Sequence, residues 1–144
     1  MNIVVDASVA AKWLFSERDS DRAAALLREI VEGRLRSVAP EILPAEIGNV
    51  LALRVLRGLL REQQALAEYE RFQRCCPALI SNKTLAEPAL RWALRQRHPI
   101  YDCLYLALAL EAGCDLITAD EKLHRAFSPD FPQVRLLHDW QPQA

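Results

Sequence analysis

The chain has 144 residues, is 51% hydrophobic and 26% charged, and carries a net charge of −1. That length suits one domain around one hydrophobic core, and the near-zero charge excludes a global basic field, so any nucleic-acid binding must come from a local patch. Only four glycines are present, which leaves no glycine-rich phosphate loop: neither the P-loop pattern nor a G-x-G-x-x-G fingerprint occurs. The hydrophobic share is slightly rich for a soluble domain. It predicts an extra interface, as an oligomer or with a bound partner.

In chain order, Asn2 to Val5 reads as a short buried strand. Ser8 is a candidate cap for a helix over Val9 to Phe15, and Ser16 to Ser20 is a polar break. A second helix is predicted from Asp21 to Glu32, with Ala24, Leu27, Ile30 and Val31 on one face and Gly33 as its stop. Arg36 to Ala39 is a candidate strand. Pro40 and Pro44 bracket a turn, and Pro44 suits the first turn of a third helix that stops near Gly58. A fourth helix covers Arg61 to Arg74, Pro77 ends it, and Ala78 to Ile80 is a weak strand. Thr84-Leu85-Ala86-Glu87 has the capping-box pattern and predicts a helix through Leu94. Pro99 precedes another over Tyr101 to Ala112, ended by Gly113. Asp115 to Thr118 reads as a strand, Glu121 to Phe127 as a short helix, and Val134 to Leu137 as the last strand. Strands alternating with helices predict an α/β fold with a parallel sheet covered on both faces.

Cys75, Cys76, Cys103 and Cys114 lack C-x-x-C spacing, and the adjacent pair is a poor disulfide candidate. A reducing compartment is expected. The first apolar run is broken by Asp6, and no run approaches the roughly 20 residues that span a bilayer. The expectation is a cytoplasmic protein with no membrane partner.

Four acids stand beside hydrophobic runs: Asp6, Glu46, Asp102 and Asp120. A carboxylate beside a buried element is costly unless it is paired or bound to a cation. Ligands of open parallel sheets gather beyond the carboxyl ends of the strands. Asp6 and Asp120 follow strand ends, while Asp102 and Glu46 fall in first turns of helices, where the dipole favours negative charge. Asn49, three residues after Glu46, shares its face and is placed to hold the carboxylate. Clustered carboxylates repel one another unless a cation neutralises them. Oxygen donors without a His or Cys set point to Mg²⁺, or to Mn²⁺, rather than Zn²⁺. His98, His124 and His138 have no ligand spacing and read as surface or satisfied core residues. Hard cations on carboxylates bind a phosphodiester, activate a water and stabilise the departing oxyanion.

Plainer roles exist for each residue. Asp6 and Asp120 are also placed to cap helices, and Asp102 and Glu46 are ordinary first-turn acids. Ser8 and Thr118 read as a cap and a strand-end hydroxyl, or as neighbours of a metal. Lys12 reads as solvated, with phosphate contact as the alternative. Tyr101, Tyr105 and Trp92 read as core. Arg54, Arg57 and Arg61 form one basic group, and Arg91, Arg95 and Arg97 another.

Val4-Val5-Asp6-Ala7-Ser8, Pro44-Ala45-Glu46 with Asn49-Val50-Leu51, Tyr101-Asp102-Cys103-Leu104-Tyr105-Leu106-Ala107 and Leu116-Ile117-Thr118-Ala119-Asp120 together resemble the PIN-domain ribonucleases. Among these the chain looks most like the VapC toxins of type II toxin–antitoxin pairs. The resemblance spans almost the whole length and implies a single PIN-like domain over residues 1–144. The implied fold is a three-layer sandwich with a central parallel sheet of four to five strands flanked by helices. It implies Mg²⁺-dependent hydrolysis of RNA, leaving a 5′-phosphate and a 3′-hydroxyl. It also implies a homodimer and a cognate VapB-type antitoxin. By the same resemblance Asp6, Asp102 and Asp120 are metal ligands, Glu46 completes the catalytic quartet, and Ser8, Asn49 and Thr118 stand beside it. Cys103 stands where a small residue such as alanine is common. The leucine-rich stretch 50–60 is expected to form either the antitoxin groove or the dimer seam.

Other classes fit less well. A haloacid-dehalogenase-type phosphotransferase needs an Asp two residues after the first, where this chain has Ser8. A signalling receiver needs an acidic pair near the first strand and a mid-chain phosphoacceptor Asp, yet Asp6 stands alone. A non-toxin PIN nuclease of RNA processing and a non-catalytic binding scaffold remain as alternatives.

Overall fold

The computed structural model describes residues 1–143. Five strands form one parallel sheet: β1 (Asn2–Val5), β2 (Arg36–Pro40), β3 (Ala78–Ile80), β4 (Asp115–Thr118) and β5 (Val134–Leu136). Their order is β3-β2-β1-β4-β5. Seven helices flank the sheet among the described residues: α1 (Ala7–Ala11), α2 (Ser20–Val31), α3 (Leu43–Leu56), α4 (Glu62–Cys75), α5 (Asn82–Gln96), α6 (Ile100–Ala112) and α7 (Glu121–Phe127). The expected sandwich is therefore present with five strands. The central strands read as apolar runs because helices cover them; Val4, Val5 and Leu116 are fully buried. In β3, at the edge, Ala78 and Leu79 are exposed.

The longest apolar run becomes α6. Cys103 through Ala109 are all buried, so no side of this stretch faces water. It rests on β1, β2 and β4 and is backed by α5. A helix apolar all round demands such a sheath. Gly113, in the left-handed conformation at φ +62°, ends it as expected.

Several boundaries shift for identifiable reasons. The first helix begins at Ala7, capped by Asp6 rather than Ser8: the Asp6 carboxylate accepts from the Val9 amide at 3.2 Å. It ends at Ala11, and Trp13 and Leu14 continue as tight turns bonded to Ala10 and Ala11. In α2 the buried face is Ala23 and Leu26, one residue out of phase with the expected Ala24 and Leu27, and Val31 is 75% exposed. The Trp13 indole donates to the Ala23 carbonyl at 3.0 Å, which seats that turn. The expected capping box at Thr84 does not form. Ser81 caps α5 through the Lys83 amide, Thr84 donates back to the Ser81 carbonyl at 2.8 Å, and Glu87 pairs with Arg91. That helix also runs on to Gln96, and β5 stops one residue short, with Leu137–Asp139 forming a 3-10 turn.

The strand order runs outward in opposite directions from the β1/β4 boundary. Such a reversal leaves a crevice at the carboxyl ends of the two strands. Asp6 directly follows β1, and Thr118-Ala119-Asp120 closes and leaves β4. Among the described residues no helix is long and apolar enough to cross a membrane.

Candidate active site

Parallel register pairs Val5 with Ile117, so Asp6 and Thr118 emerge side by side. Asp6 is only 5% exposed. Its carboxylate accepts from the Ser8 hydroxyl at 2.5 Å, from the Thr118 hydroxyl and from the Val9 amide. Ser8 in turn accepts from the Ala119 amide at 2.9 Å, tying the start of α1 to the end of β4. Burial outweighs these bonds and pushes the Asp6 carboxyl up to about 6, with the charge of Asp102 adding to the rise.

Glu46 enters from the first turn of α3 and is half-buried. Burial raises its carboxyl above the usual range, the hydroxyl of Tyr105 donating to it at 2.6 Å lowers it, and Asp102 raises it again. Tyr105 lies one turn after Asp102 in α6. Burial, then the charge of Glu46, drives its hydroxyl far above the ordinary tyrosine range, so it stays a donor. Asp102 Oδ2 lies 2.7 Å from Nε2 of His98, whose ring packs edge-on against Phe127. Asp120 caps α7, its Oδ1 accepting from the amides of Lys122 and Leu123 at 2.9 and 3.1 Å.

Asp6, Glu46, Asp102 and Asp120 line one hollow of about 440 Å³, together with Ser8, Tyr105, Lys12, Glu17 and Arg54. Asp6 and Glu46 both feel the charge of Asp102, which raises each of them. Asp120 stands at the rim, where capping and lining the hollow are compatible. Thr118 is fully buried behind Asp6. Asn49 is exposed and borders an adjoining hollow with Glu46 and Tyr101; Tyr105 is the hydrogen-bond partner of Glu46.

Of the first arginine group, Arg54 alone lines the acidic hollow. Arg91 and Arg95 border a separate hollow on α5 with Lys83 and Trp92. Tyr101 is 60% exposed, against the expectation of a core residue, because the buried face of α6 starts at Cys103. Tyr105 is core, yet its hydroxyl serves Glu46. Cys103 fits beside Asp102; burial and that charge push its thiol up to about 11, so it is an inert packing group.

Oxygen donors, mutual repulsion and a desolvated carboxylate suit a hard divalent cation, which would relieve the charge now concentrated there. The side chains fit in kind and charge. As placed, no three Asp, Glu, His or Cys side chains among the described residues are gathered closely enough to hold a metal. Both Asp6 oxygens are engaged by protein donors.

Three participants carry little or no local signal in the chain. His98 stands four residues before Asp102 but in the loop that precedes α6, whose N-cap is Pro99, so no helical spacing signals the contact. Tyr105 stands three residues after Asp102, a spacing that brings two side chains together across one helical turn. Glu17 carries no local signal, since a polar break is where an acid is ordinary.

The profile of the PIN domain matches residues 3–127. Ribonuclease VapC1 of Mycobacterium tuberculosis (strain CDC 1551 / Oshkosh) is 35% identical over 138 residues, 93% of this chain and 96% of the relative. PAE2754 from Pyrobaculum aerophilum superposes with a TM-score of 0.70 at 19% identity, covering 96% of this chain and 85% of that one. VapBC2 from Rickettsia felis, solved bound to a DNA fragment from their promoter, gives a TM-score of 0.63 at 13% identity, covering 94% of this chain and 97% of that one.

Proposed function

The chain belongs to the PIN-domain family, and from that premise we propose that it is a metal-dependent endoribonuclease of the VapC type, the toxin of a VapBC toxin–antitoxin pair. The observation that carries this reading is the shared hollow: four carboxylates from four separate segments open onto one crevice at the sheet's switch point. The relative with a ribonuclease name covers nearly the whole chain and supports it.

In this reading Asp6, Asp102 and Asp120 hold Mg²⁺, or Mn²⁺, with Glu46 either ligating a second ion or orienting the attacking water. When bound, the cation supplies Lewis acidity toward a phosphodiester and a more acidic water. The protein's own part is positioning. Ser8 and Thr118 fix the rotamer of Asp6, His98 orients Asp102, and Tyr105 keeps Glu46 turned into the crevice. Asn49 borders the adjoining hollow that shares Glu46. Pre-set carboxylates spare the reaction the cost of organising them during the chemical step.

Partners follow from the same reading: an RNA substrate, a VapB-type antitoxin and a second copy of the chain in a homodimer, within the cytoplasm. The apolar hollow between α3 and α4 is suited to an amphipathic helix of the antitoxin or to the dimer seam. In the same reading residues 1–144 form a single PIN-like domain. The test is cleavage of RNA with Mg²⁺, its loss in EDTA, and its suppression by a VapB-type protein. Intact RNA in both Mg²⁺ and Mn²⁺ would overturn the nuclease reading. Cleavage that no such protein suppresses would favour a nuclease of RNA processing outside a toxin pair.

A further inference from the structure

The same hollow that the acids line also holds two cations. Lys12 follows α1, and Arg54 lies in the last turn of α3. They come from distant parts of the chain and converge on one carboxylate, Glu17: Lys12 Nζ lies 3.4 Å from Oε1, and Arg54 reaches Oε2 at 3.2 Å. Each cation is fixed independently. The Arg54 guanidinium lies 3.7 Å over the Phe15 ring, and the Lys12 side chain is only 13% exposed. The Glu17 backbone is braced too, its amide donating to Ser20 Oγ, which itself donates to the Phe15 carbonyl.

We propose that Lys12 and Arg54 form a subsite for one phosphate of the RNA backbone, and that Glu17 fills it in the free protein as an internal stand-in for that phosphate. The proposal rests on the ribonuclease reading and adds to it a binding site and a built-in competitor. A carboxylate presents one negative charge and two acceptor oxygens, as does a phosphodiester with its two non-bridging oxygens. Here each oxygen meets a different cation. Both contacts are longer than the roughly 2.7–2.9 Å of a tight charge-assisted hydrogen bond, so Glu17 is loosely held. Two cations against one acid also leave a positive charge to attract an incoming strand. Without them the only charged groups lining the crevice are carboxylates, which repel the substrate. A phosphate bound between these two cations shares the hollow with the quartet.

The experiment uses the full chain and a random-sequence single-stranded RNA with a 5′ fluorophore. Binding is followed by anisotropy in Ca²⁺ and in EDTA over a range of salt, and cleavage by gel in Mg²⁺. Lys12→Met and Arg54→Met are expected to weaken binding about tenfold each and to lower the salt slope by about one counterion each. KM rises while kcat stays near that of the unaltered chain. Glu17→Gln is expected to tighten binding several-fold and lower KM. Melting curves identify any variant that fails to fold; Arg54→Lys, which keeps the charge, then replaces Arg54→Met and retains part of the affinity. Unchanged affinity in the Lys12 and Arg54 variants overturns the subsite, as does absence of RNA binding that Glu17→Gln does not restore. Weaker binding in Glu17→Gln overturns the stand-in role, because it would show Glu17 merely orienting the two cations. Variant-sensitive binding without any cleavage would leave the subsite and sink the nuclease, whereas cleavage indifferent to these variants would do the reverse.

Discussion

The carboxyl ends of β1 and β4 and the α3–α4 hairpin break opposite rules. At the first, a carboxylate is buried and raised in pKa by desolvation. At the second, Leu56 and Leu66 are 81% and 70% exposed and line an apolar hollow of about 520 Å³ between the helices. A buried charge costs about 2 kcal/mol or more, and an exposed leucine forgoes the roughly 2 kcal/mol its burial would contribute. Neither feature is explained by the stability of the isolated chain. Departures of this kind concentrate where a protein meets something else. The proposed cation would compensate the first region, and a protein partner the second.

The largest expected effect breaks the acidic half of the contrast. Asp102→Asn should lower RNA cleavage by ~10³-fold or more, about 4 kcal/mol of transition-state stabilisation, with circular dichroism unchanged. Wild-type rates in that variant would remove Asp102 from the chemistry.

Next comes stability. Asp6 has its carboxyl raised from 3.8 to about 6, so the folded chain binds this proton more tightly than the unfolded chain. Metal-free stability therefore falls as pH rises from about 4 to about 6, by ~3 kcal/mol at most, and is level above that range. Asp6→Asn keeps a capping oxygen and removes the buried charge. In EDTA it should melt higher than the unaltered chain at pH 7.5, with the gap closing near pH 4. Saturating Mg²⁺ should raise the melting temperature of the unaltered chain and leave the variant where it was. A gap that ignores pH would mean the charge is not the cause.

The apolar half is probed by Leu56→Glu with Leu66→Glu. Both side chains are exposed, so folding should change by less than about 0.5 kcal/mol. If the hollow is the dimer seam, light scattering should read the proposed dimer falling to monomer; if it is the antitoxin groove, titration with a VapB-type protein should read a lost complex. If both assemblies survive, the hollow is idle surface and the comparison fails on this side.

The smallest effect sharpens the acidic side. Tyr105→Phe removes the donor to Glu46 and little volume. It should cost about 1 kcal/mol of stability and slow cleavage several-fold, less than any loss from the quartet itself. A loss as large as that of Asp102→Asn would give the hydroxyl a direct part in the reaction.

Local chemistry made much of the fold legible in the chain. Ile3-Val4-Val5 and Leu116-Ile117-Thr118 are short apolar runs bounded by polar residues, and both became strands. Gly113 after a continuous apolar stretch marked the end of α6. Boundaries that depended on competition between neighbouring caps were less visible. Asp6 and Ser8 are both good capping residues; Asp6 caps because it leaves the sheet in an extended conformation, which turns Ser8 inward. Ser81 and Thr84 pose the same choice, and Ser81 wins because it directly follows β3. The phase of α2 was hidden because Trp13, ten residues before Ala23, decides it.

The sequence by itself determined the alternation of strands and helices, the placing of each acid at the end of an element, and the burial of α6. These follow from hydrophobic pattern and from caps, which act within a few residues. Tertiary structure alone decided that Asp6 lies against Thr118, that His98 and Tyr105 serve Asp102 and Glu46, and that Lys12 and Arg54 meet at Glu17. Those contacts join residues far apart in the chain or depend on which way a helix faces. They are set by the register of parallel strands and the packing of helices on them, which no local pattern encodes.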